Sequence, residues 1–185
     1  MRERSLHWLV LFHPVSIHWL TGSDAKSYQE FQCLLFPAEP GPLTMLTREG
    51  ERCEFEMDAL VDDVVCFGGG EDQDPVPVFE QLADRLGLTR SKVGIEVPAY
   101  YLHPHHYIRI RDVLGNALAQ ETTHLVHDLK LVKSQAERDY IVLASRKADH
   151  AMATFVAALQ VGRSELAVAG EVMASLLSQD SGIAA

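Results

Sequence analysis

The densest run of chemistry-bearing side chains in this chain of 185 residues is His103-Pro104-His105-His106. Two nearby imidazoles can hold zinc, but a stable site needs further converging donors, and no H-e-x-x-H or paired C-x-x-C spacing supplies them. The run is expected to be the exposed start of a helix, and His124 and His127 form a second close pair with the same shortage of partners. Cys33, Cys53 and Cys66 are odd in number and widely spaced, which suits buried reduced thiols in a cytoplasmic protein better than a disulfide framework. Gly68-Gly69-Gly70 invites a phosphate-loop reading. However, the next residues are Glu71-Asp72-Gln73-Asp74, so no Lys-Ser/Thr follows and the charge has the wrong sign. No G-x-S-x-G elbow accompanies the histidines, so a serine triad lacks support. From these residues alone we assign no catalytic group and no metal ligand.

Any such group must be carried by secondary structure, and the clearest element begins at Ser134. Ser134-Gln135-Ala136-Glu137 is a capping box, and Ile141, Ala144, Ala148, Met152, Phe155 and Leu159 follow at steps of three and four on one helical face. Gly162 can close that helix. Ser164 can open another over residues 165–177, with Leu166, Ala169, Val172, Met173 and Leu176 as its stripe. Upstream, residues 6–13 have the apolar density of a buried strand ended by Pro14. Residues 32–36 and 43–47 are short apolar runs joined by P-A-E-P-G-P, which suits a hairpin. Residues 64–67, 92–98 and 121–126 read as further strands. Residues 76–86 and 105–114 read as helices stopped by Gly87 and Gly115. The order predicts an α/β fold around one mixed sheet flanked by helices, followed by a C-terminal helical hairpin, with the change of regime near residue 131.

Bulk properties narrow the partners. A hydrophobic share of 47% and a charged share of 23% are those of a soluble globular protein. A formal net charge of −10 argues against nucleic acid or an anionic membrane, both of which need a basic face. Residues 6–12 are too short an apolar run to span a bilayer and lack a signal-peptide cleavage site.

Several stretches resemble one family. L-K-L-V-K-S-Q-A-E-R around Ser134 is similar to the junction of the creatinase, prolidase and aminopeptidase P metallohydrolases. S-I-H-W-L-T-G at 16–22 resembles that family's N-I-x-Y-L-T-G segment. K-V-G-I-E at 92–96 resembles its (R/K)-(I/V)-G-(I/V)-E signature, and V-G-R-S-E at 161–165 resembles the turn between its first two catalytic-domain helices. The resemblance implies a creatinase N-terminal-like domain over 1–130, and over 131–185 the junction and first two helices of a truncated "pita-bread" catalytic domain. The family's divalent metal (manganese, cobalt or zinc) would sit beyond residue 185, so this chain is expected to hold no metal and to be inactive alone. It would belong to a cytoplasmic homodimer whose parent hydrolyses a C–N bond in a small amino-acid-like molecule or an Xaa-Pro dipeptide. The alternative is a free-standing binding or scaffold protein that has lost the catalytic half.

The same resemblance points to the loop T-G-S-D-A-K-S-Y-Q-E-F at 21–31, which in family dimers supplies substrate contacts to the neighbouring subunit. Creatinases carry F-G-R there. Tyr28 matches the aromatic, Gln29 replaces the glycine and Glu30 replaces the arginine, while T-G-x-D-x-x-S-Y is closer to ectoine-hydrolase-like members. Tyr28, Glu30 and Asp24 are therefore the expected substrate-binding residues in trans. A carboxylate at Glu30 would repel a substrate carboxylate, so creatine itself is a poor fit.

Overall fold

A computed structural model describes residues 1–24, 30–69 and 74–181, which fall into two compact units, Met1–Leu129 and Lys130–Ala185. The first unit is built on six strands: β1 (Trp8–Leu11), β2 (Cys33–Pro37), β3 (Thr44–Arg48), β4 (Asp63–Phe67), β5 (Val93–Ile95) and β6 (Leu118–Glu121). They lie in the order β4-β3-β2-β1-β5-β6. The predicted hairpin is present: β2 pairs antiparallel with β3, with Cys33 opposite Leu46. β2 is also antiparallel to β1, whereas β1–β5, β5–β6 and β3–β4 are parallel, so β2 alone among these strands runs against the rest.

Central strands covered on both faces need apolar residues at successive positions. Accordingly Val10, Cys33, Leu35 and Leu46 pack with Phe79, Leu82 and Ala83 of helix α3 (Pro75–Leu86) and with Ile110 and Leu114 of α4 (Pro104–Leu114). Leu9, Leu11, Leu34 and Met45 face the other way. They meet Ile17 of α1 (Pro14–Thr21), Phe55 of α2 (Arg52–Asp58) and Val126 of α5 (Leu125–Leu131). The unit is therefore a sheet between two layers of helices.

Three of those helices start in the same way. His13-Pro14, Asp74-Pro75 and His103-Pro104 each place proline in the first helical turn, where a missing N–H costs nothing. The preceding side chain accepts the free N–H of Val15, Val76 or His105 at 3.1, 3.0 and 3.2 Å. Because α1, α3 and α4 follow β1, β4 and β5, all three starts lie at the carboxyl edge of the parallel strands.

Some expectations need correction. Pro14 does end the first strand, but it also opens a helix, so residues 16–21 are helical. The last strand of the sheet is Leu118–Glu121, and most of the run expected as a strand at 121–126 instead turns at Thr122 into α5, which buries Val126 in the core. Helix α2 went unread because it is only about two turns long, with a single buried residue, Phe55.

The second unit pairs α6 (Gln135–Ala158) with α7 (Glu165–Leu177). The capping box at Ser134 is complete: its hydroxyl accepts the Glu137 N–H at 3.2 Å, and its own N–H donates to the Glu137 carboxylate at 2.7 Å. Gly162 turns the chain at φ +88°, and Ser164 accepts the Ala167 N–H at 3.2 Å to start α7. Ala151, Ala158 and Val168 are buried, while Ile141, Met152 and Leu159 remain exposed. Among the described residues no helix is long and apolar enough to cross a membrane.

Candidate functional site

The carboxyl edge of the sheet is anchored by Glu96, which follows β5 and is only 2% exposed. One of its carboxylate oxygens accepts the backbone N–H of Phe12 at 3.0 Å and that of His13 at 2.8 Å. The other accepts the Ser16 hydroxyl at 2.7 Å. A buried carboxylate is tolerated only when its oxygens are answered in this way. The contacts tie the end of β1 and the first turn of α1 to the end of β5.

Beside this anchor opens a cleft of about 1190 Å³. Phe31, Phe67 and Leu102 are among its apolar lining residues, and Glu30 and Arg48 also line it. Tyr100, His103, His106 and Arg109 line it as well. A ligand crevice at the carboxyl ends of parallel strands is where open α/β sheets commonly bind. Glu30 lies 3.7 Å from Arg48, which lies closer, at 3.3 Å, to Glu51. Arg109 is held by Asp74 at 2.5 Å. His106 meets Phe31 edge-on at a centroid distance of 5.3 Å, and burial, helped by the neighbouring His105, pushes its imidazole below the usual range.

Of the residues expected to touch substrate, Glu30 lines this cleft. Asp24 does not; it lies just after α1, with its carboxylate 3.4 Å from the His18 ring. Tyr28 falls outside the described residues. The histidine run is a helix start, with His103 as the cap of α4, and its rings stand about 6 Å apart (6.1 Å for His103–His106, 5.9 Å for His105–His106). Among the described residues no group of three or more His, Cys, Asp or Glu converges as metal ligands. A divalent ion therefore has no fitting site in the described residues, and no chemical step is derived through one. Sequence reasoning missed Arg48, Tyr100 and Arg109 because they come from separate elements, the end of β3, the loop after β5 and helix α4, that come together only in the fold. Glu96 did carry a signal, an acid closing the apolar run V-G-I-E-V-P.

A family model described as Creatinase/Prolidase N-terminal domain matches residues 1–132. The chain belongs to that family. This creatinase/prolidase N-terminal domain protein is 27% identical over 153 residues to the ectoine hydrolase of Halomonas elongata, a match covering 79% of this chain and 38% of the relative. It shares the fold of the Pyrococcus horikoshii prolidase, with a TM-score of 0.71 at 17% identity over 96% of this chain and 46% of that one. The Thermotoga maritima X-Pro aminopeptidase is similar with a TM-score of 0.72 at 15% identity, over 96% of this chain and 48% of that one. The creatinase/prolidase N-terminal domain protein thus spans about half the length of these solved relatives, and less of the ectoine hydrolase.

Proposed function

We propose that this chain is the non-catalytic N-terminal part of a cytoplasmic hydrolase of the creatinase/prolidase type, and that it dimerises and shapes the substrate pocket of a partner subunit. The observation that carries this reading is a disproportion. The match to the N-terminal family takes up 1–132, yet the described residues bring no metal-ligand set together. Metal-assisted hydrolysis needs fixed donors around an activated water, so the divalent ion and its ligands belong to the part of the relatives that this chain does not match. The parent reaction is hydrolysis of a C–N bond in a small amino-acid-like molecule or an Xaa-Pro dipeptide. In it, the loop carrying Asp24, Tyr28 and Glu30 meets substrate in trans.

Two measurements test the proposal. Sedimentation of the chain up to about 100 µM should show a reversible dimer, because association follows mass action. A strictly monomeric chain at that concentration would remove the dimerisation role. Assay of the same preparation with Xaa-Pro dipeptides or ectoine, supplied with manganese, cobalt or zinc, should show no turnover.

A further inference from the structure

Histidines 13, 18 and 103 each bring a ring nitrogen to the backbone, and the partner fixes which nitrogen carries the proton. His13 Nδ1 accepts the Val15 N–H at 3.1 Å, and His103 Nδ1 accepts the His105 N–H at 3.2 Å. An amide N–H can only donate, so both contacts need a neutral ring with its proton on Nε2. His18 is the reverse case. Its Nδ1 lies 2.8 Å from the Ser23 carbonyl, which can only accept, so Nδ1 carries the proton and the contact survives a second protonation. At α3 the corresponding cap is the carboxylate of Asp74, which needs no imidazole.

Proton uptake at Nδ1 of His13 or His103 sets one donor against another, and the cap is lost. The first-turn N–H groups of α1 and α4 are positive helix ends and oppose an imidazolium at either position. Beside His13 the Glu96 carboxylate favours the charge, but its oxygens already take the N–H groups of Phe12 and His13 and the Ser16 hydroxyl. The Tyr101 ring packs on His13 at 4.8 Å. His106 stands 6.1 Å from His103, and it shares α4 with His105 and Arg109; each of these discourages a further cation when charged. Glu30, Arg48, Glu49 and Asp74 line the same cleft, with Asp74 taken up by Arg109 and Glu49 by Arg52. Both caps border that cleft: His103 lines it directly, and so does the Tyr101 that packs on His13.

We propose that His13 and His103 are proton-operated latches of the cleft. As Nε2–H tautomers they hold the starts of α1 and α4, and protonation releases both, loosening that border of the cleft. The latches are closed at neutral pH and above. They open as pH falls through the imidazole range, about 6.5 for a free side chain. This device is independent of the role and parent reaction proposed above.

The test is NMR of the 185-residue chain, reading the imidazole nitrogens and the backbone amides together. At pH 7.5, His13 and His103 should be Nε2–H tautomers and His18 an Nδ1–H tautomer. As the pH is lowered to 5, the Val15 and His105 amide signals should move in step with protonation of rings 13 and 103. Local opening at those two amides should rise about five-fold or more, the scale of a lost N-cap. His13→Asn and His103→Asn keep a capping oxygen that does not titrate, so each should silence the pH response of its own amide and leave the other's intact. Global stability cannot replace this local reading, because His7 Nδ1 accepts the Lys92 N–H at 3.2 Å just before β1 and that bond is lost to acid as well. An Nδ1–H tautomer at His13 or His103 at pH 7.5 would overturn the proposal, as would amides that ignore ring protonation. A response of the His105 amide that persists in His103→Asn would also overturn it, and would assign the effect to His105 and His106.

Discussion

Replacing Glu96 with alanine should cost more stability than any other single change at the sheet edge. The carboxylate accepts three hydrogen bonds, from Phe12 N–H, His13 N–H and the Ser16 hydroxyl, at 3.0, 2.8 and 2.7 Å. Bonds to a charged acceptor contribute about 1.5–3 kcal/mol each, and a buried N–H left without a partner costs about 1–3 kcal/mol. These contributions overlap, so the expected loss is about 3–5 kcal/mol, a large share of the roughly 5–15 kcal/mol that holds an ordinary domain. Glu96→Gln keeps the shape. Its carbonyl can serve the two N–H groups while its amide donates to Ser16, so about 1–2 kcal/mol should be lost with the charge. Urea unfolding, read as a shift of midpoint at constant slope, measures both. The double variant Glu96→Gln/Ser16→Ala should lose less than the sum of its parts, because the two groups share a bond. A loss below about 1 kcal/mol in Glu96→Ala would refute the anchoring argument.

Other consequences can be read as directly. A Cβ at Gly94 would stand 2.7 Å from Thr122 Cγ2, 2.8 Å from Leu9 Cδ2 and 2.9 Å from Leu6 Cδ1, so Gly94→Ala should destabilise by about 1–3 kcal/mol in the same assay. His106 is held below the usual imidazole range by burial, so between that range and its folded value the unfolded chain binds more protons. Stability should therefore fall as pH is lowered through that window, and His106→Gln should flatten that part of the profile. Burial pushes the Cys66 thiol up to about 11 and that of Cys33 well above the usual range. With about one part in a thousand of Cys66 ionised at pH 8, iodoacetamide followed by mass spectrometry should label exposed Cys53 first, Cys66 slowly and Cys33 only on unfolding.

The elements that the sequence announced are those whose signals are local. The Pro/Gly connection at 37–42 marks the β2–β3 hairpin, Gly87 stops α3 at φ +77°, and the serines at 134 and 164 cap α6 and α7. Pro14 was ambiguous because proline both interrupts a strand and suits a first helical turn, and only the capping contact of His13 decides between them. The last strand was misplaced because Leu125 and Val126 start a helix that packs on the sheet and buries Val126 fully and Leu125 partly, a tertiary demand that two apolar residues cannot reveal. The cleft was less legible than the fold. Glu30 was reached through a resemblance at 21–31, but its weak pairing depends on Arg48 lying closer to Glu51, and Tyr100, which lines the same cleft, lies 70 residues further along the chain.

In the proposed role this chain supports a neighbour's chemistry and performs none itself. Turnover of Xaa-Pro dipeptides and of ectoine by the purified chain, with manganese, cobalt or zinc added, addresses it most directly. No hydrolysis above the metal-only control is expected with any of the ions. Turnover that stays with the chain through purification, and disappears when a chelator is added, would contradict the account.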